Sequence, residues 1–297
     1  MNLPLNNGLH HVGNCIRPPS EANAILLQAT LGCSHSKCTF CGAYTDKKFA
    51  IKDRKHLEAD FEYAKRFCQH QDRVFVMDGD ALVMPMENWK WLLKNIHEKL
   101  PWVKRITCYA NLKSIKLKTD AELAYLHENG LKAVFLGLES GHAQVRKDIQ
   151  KGGSPEELIA RCQRLRKSGI RLVTIVLLGL GQIELSLAHA RETGLALTAI
   201  DPEAVSALSL MPLPNTPLGK AFEKGEYKIP DALGMISELR ELVDHTNLTR
   251  GAFRSVHASN YLSIDARFPQ DKPAVLKTLD HALAGHIDLK PEWMRGL

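Results

Sequence analysis

Short apolar runs rich in β-branched residues recur along the chain, and between them apolar residues return every three or four positions. The first pattern marks strands covered on both faces and the second marks amphipathic helices. Candidate strands are Ile25–Leu31, Arg73–Met77, Arg105–Tyr109, Ala133–Leu138, Leu172–Leu178 and Val205–Leu210. Trp89, Leu92, Leu93 and Ile96 recur at helical spacing before Pro101 and read as core packing rather than as a cofactor box. Thr119-Asp120-Ala121-Glu122 predicts a capping box opening a helix over Ala121–Glu128, which Asn129-Gly130 closes. Ser154-Pro155-Glu156-Glu157 predicts a second start, with serine as cap and proline in the first turn, and Gly169 as the stop. Strand and helix alternate, so the strands are expected to be parallel and joined by helical crossovers, in six βα units. No internal repeat, low-complexity segment or long Gly/Ser linker interrupts them.

The pattern changes after Gly219. Ile236, Leu239, Leu242 and Val243 mark one helix, and Val275, Leu276, Leu279 and Leu283 mark another. Between them Arg254-Ser255-Val256-His257-Ala258-Ser259-Asn260-Tyr261 is dense in hydrogen-bonding side chains. His257, Ser259, Asn260 and Tyr261 either face a substrate or tie the extension down as buried polar groups, and the second reading is preferred.

The chemistry concentrates in Gly32-Cys33-Ser34-His35-Ser36-Lys37-Cys38-Thr39-Phe40-Cys41-Gly42, directly after the first apolar run. Three thiolates on one tight loop can hold three irons of a [4Fe–4S] cube and leave the fourth iron open. A zinc site is the alternative, but the other cysteines, Cys15, Cys68, Cys108 and Cys162, are scattered singly and form no second Cys-x2-Cys pair. His35 lies inside the short loop and is expected to point outward.

The loop resembles that of the radical S-adenosylmethionine (radical SAM) superfamily, in which an aromatic residue precedes the third cysteine, as Phe40 does here. It departs from the usual spacing by one residue, since Ser34 to Lys37 separate Cys33 from Cys38. The resemblance implies an α/β fold, an open (partial) TIM-like (β/α)6 barrel with a C-terminal helical extension. The core it implies spans residues 24–218, after a lead-in over residues 1–23, and the extension over 219–297 is expected to close the barrel mouth. It also implies a [4Fe–4S] cluster on Cys33, Cys38 and Cys41, and S-adenosylmethionine (SAM) cleaved to a 5′-deoxyadenosyl radical that removes a substrate hydrogen.

Parallel βα folds place ligands beyond the carboxyl ends of their strands. Asp78-Gly79-Asp80 follows the second strand and looks like the family segment that uses backbone carbonyls and an acid to hold the methionyl amino group of SAM. Gly137-Leu138-Glu139-Ser140-Gly141 ends the fourth strand and resembles the segment that meets the ribose and methionyl groups. Glu139 can accept from two hydroxyls and Ser140 can donate or accept, while a helix cap is the structural alternative for Ser140. Leu178 and Gly181, after the fifth strand, are candidate adenine contacts, and Arg146 or Lys147 is a candidate for the SAM carboxylate. Met211-Pro212-Leu213-Pro214-Asn215-Thr216-Pro217-Leu218 resembles a loop of the coproporphyrinogen oxidase and methylthiotransferase branches, shaping the substrate side or a structural rim. No residue stands out as a catalytic acid or base.

Composition narrows the setting. The 297 residues are 44% hydrophobic, enough for a large core, and seven cysteines without framework spacing fit a reducing compartment. No basic-then-apolar leader opens the chain and no apolar run approaches the ~18 residues of a bilayer span. A cytoplasmic enzyme without membrane contact is expected. The formal charge of +6 is spread along the chain, which disfavours nucleic acid as the partner. A small-molecule substrate is expected, with a reductant such as flavodoxin or ferredoxin implied by the resemblance. An RNA- or peptide-modifying enzyme and a non-enzymatic iron–sulfur or zinc sensor are the alternatives. No cysteine lies beyond Cys162 and no further α/β domain fits, so neither a C-terminal auxiliary cluster nor a cobalamin domain is expected.

Overall fold

The computed structural model describes residues 8–296. The described residues fall into two compact units: residues 8–36, 43–135 and 164–171 make up the first, and residues 37–42, 136–163 and 172–296 the second.

The first unit carries β1 (Ile25–Leu27), β2 (Thr30–Leu31), β3 (Ala50–Ile51), α1 (Arg54–Phe67), β4 (Arg73–Val76), α2 (Met86–Lys99), β5 (Arg105–Ala110), α3 (Leu112–Leu117) and α4 (Asp120–Glu128). β1, β4 and β5 run parallel, with Leu26 opposite Phe75 and Phe75 opposite Thr107. The expected first strand is broken: Thr30 and Leu31 leave the parallel ladder and pair antiparallel with Ile51 and Ala50. That switch sends the chain into the cysteine loop. Trp89, Leu92, Leu93 and Ile96 are all buried on α2, as their spacing predicts. Thr119 and Glu122 close the capping box of α4 in both directions. β6 (Leu131–Glu139) begins in the first unit and ends in the second.

The second unit carries α5 (Ala143–Asp148), most of α6 (Pro155–Lys167), β7 (Arg171–Leu178), α7 (Ser186–Ile200), β8 (Ala204–Ser209), α8 (Pro217–Glu223), α9 (Ala232–His245), β9 (Gly251–Arg254), β10 (Asp265–Phe268) and α10 (Lys272–Leu283). β7, β8 and β9 are parallel, and β10 closes the edge antiparallel to β9. In each unit the strands form an open ladder, so the α/β class of mostly parallel strands and crossover helices is as expected. The extension holds two strands besides its helices. β9 and β10 are four residues each, too short for alternation to reveal them. α9 packs between α7 and α10, burying Ile236, Leu239, Leu242 and Val243. Among the described residues no helix is long and apolar enough to cross a membrane.

Candidate functional site

In the first unit the chain leaves β2 through Gly32, whose φ of 69° lies in the left-handed region that favours glycine. Two backbone groups then lock this loop onto the turn after β4. Gly32 N–H donates to the Asp78 carboxylate at 2.7 Å, and Gly79 N–H donates to Gly32 O at 3.0 Å. Asp78 also accepts from the Gln28 amide at 3.1 Å and pairs with Lys47 Nζ at 2.9 Å, so its side chain is spent inside the protein. Asp80 accepts from Ser34 Oγ at 2.5 Å, and Asn111 Nδ2 donates to the same hydroxyl. Burial pushes the pKa of both carboxyls up against these donors. Gly79 has no room for a side chain: a Cβ would stand 2.7 Å from Cys33 Cβ and 2.8 Å from the Tyr44 ring. Cys33 therefore lies directly against the Asp78–Asp80 turn. Within the loop Ser36 turns left-handed (φ 44°) and donates its hydroxyl to Cys33 O at 2.6 Å.

In the second unit Cys41 N–H donates to Cys38 O at 3.2 Å, a tight turn that presents both thiols on one short segment. Thr39 anchors the segment through Ile149 O, and Leu218 N–H donates back to Thr39 O. Phe40 packs against Val145, Ile149, Leu180, Leu210 and Leu218. A Cβ on Gly42 would meet Asn215 Oδ1 at 2.8 Å. The proline-rich Met211–Leu218 segment thus backs the cysteine segment. All seven cysteines are thiols rather than disulfides. A set of three thiolates suits an iron–sulfur cluster, and the absent Cβ at Gly79 leaves the Cys33 side chain its place.

β6 ends at Glu139, a buried residue with φ of 64° whose carboxylate pairs with Lys151 Nζ at 3.0 Å. Sequence reasoning missed Lys151, which lies twelve positions on in an irregular loop. Ser140 is fully buried: its Oγ accepts from His142 N–H and lies 2.9 Å from His189 Nδ1. The helix cap itself is His142, which accepts from Val145 N–H. Arg146 is 2% exposed and donates to the carbonyls of Leu138, Ser140, Gly152 and Gly153. It holds the loop together, which removes it as a candidate for the SAM carboxylate. Leu178 and Gly181 are buried, and a Cβ on Gly181 would meet His189 Cβ at 2.9 Å. His189 and Glu238 also escaped the sequence reading. Glu238 did leave a signal, an acid within the apolar stripe of Met235, Leu239 and Leu242.

The polar run of the extension bonds to its own unit. Asn260 accepts from Ser209 Oγ and donates to Ala207 O, and Ser259 Oγ accepts from Ser209 N–H. Tyr261 donates to Glu292 at 2.6 Å beneath the Arg295 guanidinium, which sits 4.0 Å from its ring. These are the buried ties that the sequence reading preferred.

Residues 27–192, more than half of the chain, match the family described as the radical SAM superfamily. The chain belongs to the radical SAM superfamily. Its members are enzymes that use a [4Fe–4S] cluster and SAM, and these are the cofactors of this one. Among curated relatives, an uncharacterized protein of Methanocaldococcus jannaschii is 26% identical over 230 residues, covering 72% of this chain and 69% of the relative. Anaerobilin synthase of Escherichia coli O157:H7 is 27% identical over 207 residues, covering 65% of this chain and 44% of that protein. The solved radical SAM methyltransferase TsrM of Kitasatospora setae, with cobalamin and a [4Fe–4S] cluster bound, superposes with a TM-score of 0.52 at 19% identity. That match covers 67% of this chain and 39% of the methyltransferase and shows the radical SAM fold alone. The chain therefore spans less than half of both the synthase and the methyltransferase.

Proposed function

We propose that Cys33, Cys38 and Cys41 ligate the [4Fe–4S] cluster, that SAM is held at Asp78-Gly79-Asp80 and at Glu139-Ser140, and that the enzyme removes hydrogen from a small or medium metabolite. The observation that carries this reading is a matched pair of strained acids. Asp78 (φ 68°) lies two residues after the carboxyl end of β4 and Glu139 (φ 64°) is the last residue of β6, both in the left-handed region. For a residue with a Cβ that conformation costs about 1–2 kcal/mol, and such strain gathers where a chain clamps a ligand.

When bound, the reduced cluster and SAM supply a 5′-deoxyadenosyl radical. The protein's residues position and enclose. Asp78 holds Gly32 and with it the start of the cysteine loop, and Asp80 holds Ser34. With Asp78 engaged by Gly32, Gln28 and Lys47, the backbone carbonyls of this turn and the unpartnered Asp80 Oδ1 are the acceptors left for a cationic amine. Glu139, oriented by Lys151, accepts from ribose hydroxyls. Phe40 fixes the cysteine segment on its apolar cluster, and Leu178 and Gly181 shape the adenine side through their backbone. Residues 24–218 form the core of this reading, and 219–297 complete the substrate pocket. A low-potential reductant of the flavodoxin or ferredoxin type and a cytoplasmic setting complete it.

The test is anaerobic reconstitution followed by reduction and addition of SAM. Formation of 5′-deoxyadenosine is expected. Stoichiometric zinc with no SAM cleavage would instead establish a metal-binding sensor.

A further inference from the structure

The loop that follows β6 is clamped to α7 by a polar chain buried within the second unit. His189, 1% exposed on α7, lies with Nε2 3.2 Å from Leu177 O and 3.4 Å from Glu238 Oε1. Both oxygens are placed to accept, so Nε2 carries the imidazole proton and Nδ1 is the acceptor. Ser140 Oγ, 2.9 Å from Nδ1, must then donate its hydroxyl proton to it. The Ser140 hydroxyl also accepts from His142 N–H at 3.0 Å. One helical turn further along α7, Thr193 Oγ1 accepts from Gly141 N–H at 2.8 Å. Gly141 allows this close approach, since a Cβ there would stand 2.5 Å from Glu192 O. Glu238 reaches the same point from α9, in the extension. It is fully buried and accepts from Gly179 N–H at 2.7 Å and from Ser186 Oγ at 2.5 Å.

We propose that Glu238 and His189 are positioning residues for SAM: acting through the Ser140 hydroxyl, they hold Glu139 in its left-handed conformation and aim its carboxylate. The proposal rests on the reading of Glu139 as a SAM contact. Glu139 immediately precedes the clamped Ser140–His142 segment, and its strained φ is held from the α7 side by Ser140 and Gly141 and from α5 by Arg146. It also gives the extension a part in SAM binding at a distance, because α9 supplies the acid that orients the imidazole. Burial lowers the pKa of His189 to about 4, which keeps the ring neutral near pH 7 as this arrangement requires.

The test uses the full-length, cluster-loaded protein and SAM calorimetry on Ser140→Ala, His189→Phe, the double variant, His189→Asn and Glu139→Ala. Ser140→Ala and His189→Phe should each weaken SAM roughly tenfold, or 1.4 kcal/mol, the scale of one hydrogen bond. The double variant should lose no more than either single one, because both remove the same link. His189→Asn, which keeps an acceptor near the Nδ1 position, should recover most of the affinity. Losses that multiply to roughly a hundredfold would overturn the relay. Loss of affinity in Glu139→Ala alone would overturn the relay and leave Glu139 as a SAM contact. Unchanged affinity in Glu139→Ala would overturn the reading of the site itself. Should the His189 variants fail to fold, 15N NMR of the imidazoles in the wild-type protein decides: an Nε2–H tautomer for His189 is expected, and an Nδ1–H tautomer overturns the proposal.

Discussion

Gly79→Ala is the most direct probe of how the turn after β4 shapes the cysteine loop. The added methyl would sit 2.7 Å from Cys33 Cβ, 2.8 Å from Tyr44 Cε2 and 3.2 Å from Cys33 Sγ. Carbon atoms pack best at about 3.5–4.0 Å, so Cys33 and the turn must part by roughly 0.8 Å or more. Relief on the backbone side is limited, because Gly79 N–H is bonded to Gly32 O, Gly32 N–H to Asp78, and Cys33 O to Ser36. The displacement therefore falls on the Cys33 side chain. Metal sites tolerate about 0.2 Å in ligand distance, several times less than this shift. The variant should lose about 1–3 kcal/mol of stability to overpacking, remain folded, and retain less than half the wild-type iron. Iron and sulfide analysis after anaerobic reconstitution, with electron paramagnetic resonance of the reduced cluster, reads the outcome. Gly296→Ala, where nothing lies within 4 Å of the added methyl, is the control and should keep its iron. Full iron and an unchanged spectrum in Gly79→Ala, with iron lost in Cys33→Ala, would refute the argument that Gly79 sets the place of Cys33.

Replacing Cys33, Cys38 or Cys41 by alanine should abolish both the brown chromophore and SAM cleavage, whereas Cys68→Ala, buried in a helix cap, should keep both. Glu139→Ala should weaken SAM binding by about 1–3 kcal/mol in calorimetry with iron content unchanged, the scale of losing hydrogen bonds to a charged group. The pH dependence of stability should carry the mark of Glu238, which burial raises to about 7 from an ordinary value of 4.5. The folded state then holds a proton that the unfolded state releases, so this contribution is complete below pH 4.5 and is lost as pH rises through 7. Urea unfolding of wild type and Glu238→Gln should show their stability difference shifting by up to about 3 kcal/mol between pH 4.5 and 8, against the wild type as pH rises. Parallel pH profiles for the two would show that Glu238 ionises as freely in the folded protein as in the unfolded one.

The alternation of apolar strands and capped helices is a local property, and it was legible because each signal is complete within a few residues. Thr119 with Glu122, Ser154 with Glu157, and the α2 stripe of Trp89, Leu92, Leu93 and Ile96 all form as their spacing requires. The cysteine spacing with Phe40 is an equally local signal, since ligands for one cluster can sit on one short loop. What spacing leaves open is which polar group meets which. Asp78 and Asp80 look alike as candidate ligands, yet the fold spends the first on Gly32, Gln28 and Lys47 and only one oxygen of the second on Ser34, leaving Asp80 Oδ1 without a partner. Arg146 reads as a cation available to an anion, and four backbone carbonyls consume it. His189 and Glu238 lie 49 positions apart, and neither sits in a motif. Their partnership exists only because α9 packs on α7, and burial then obliges every donor and acceptor there to find a partner. Local periodicity and spacing determined the elements and the iron ligands to be tested, while the satisfaction of buried polar groups, a property of the packed chain, decided which acids and cations remain for a ligand.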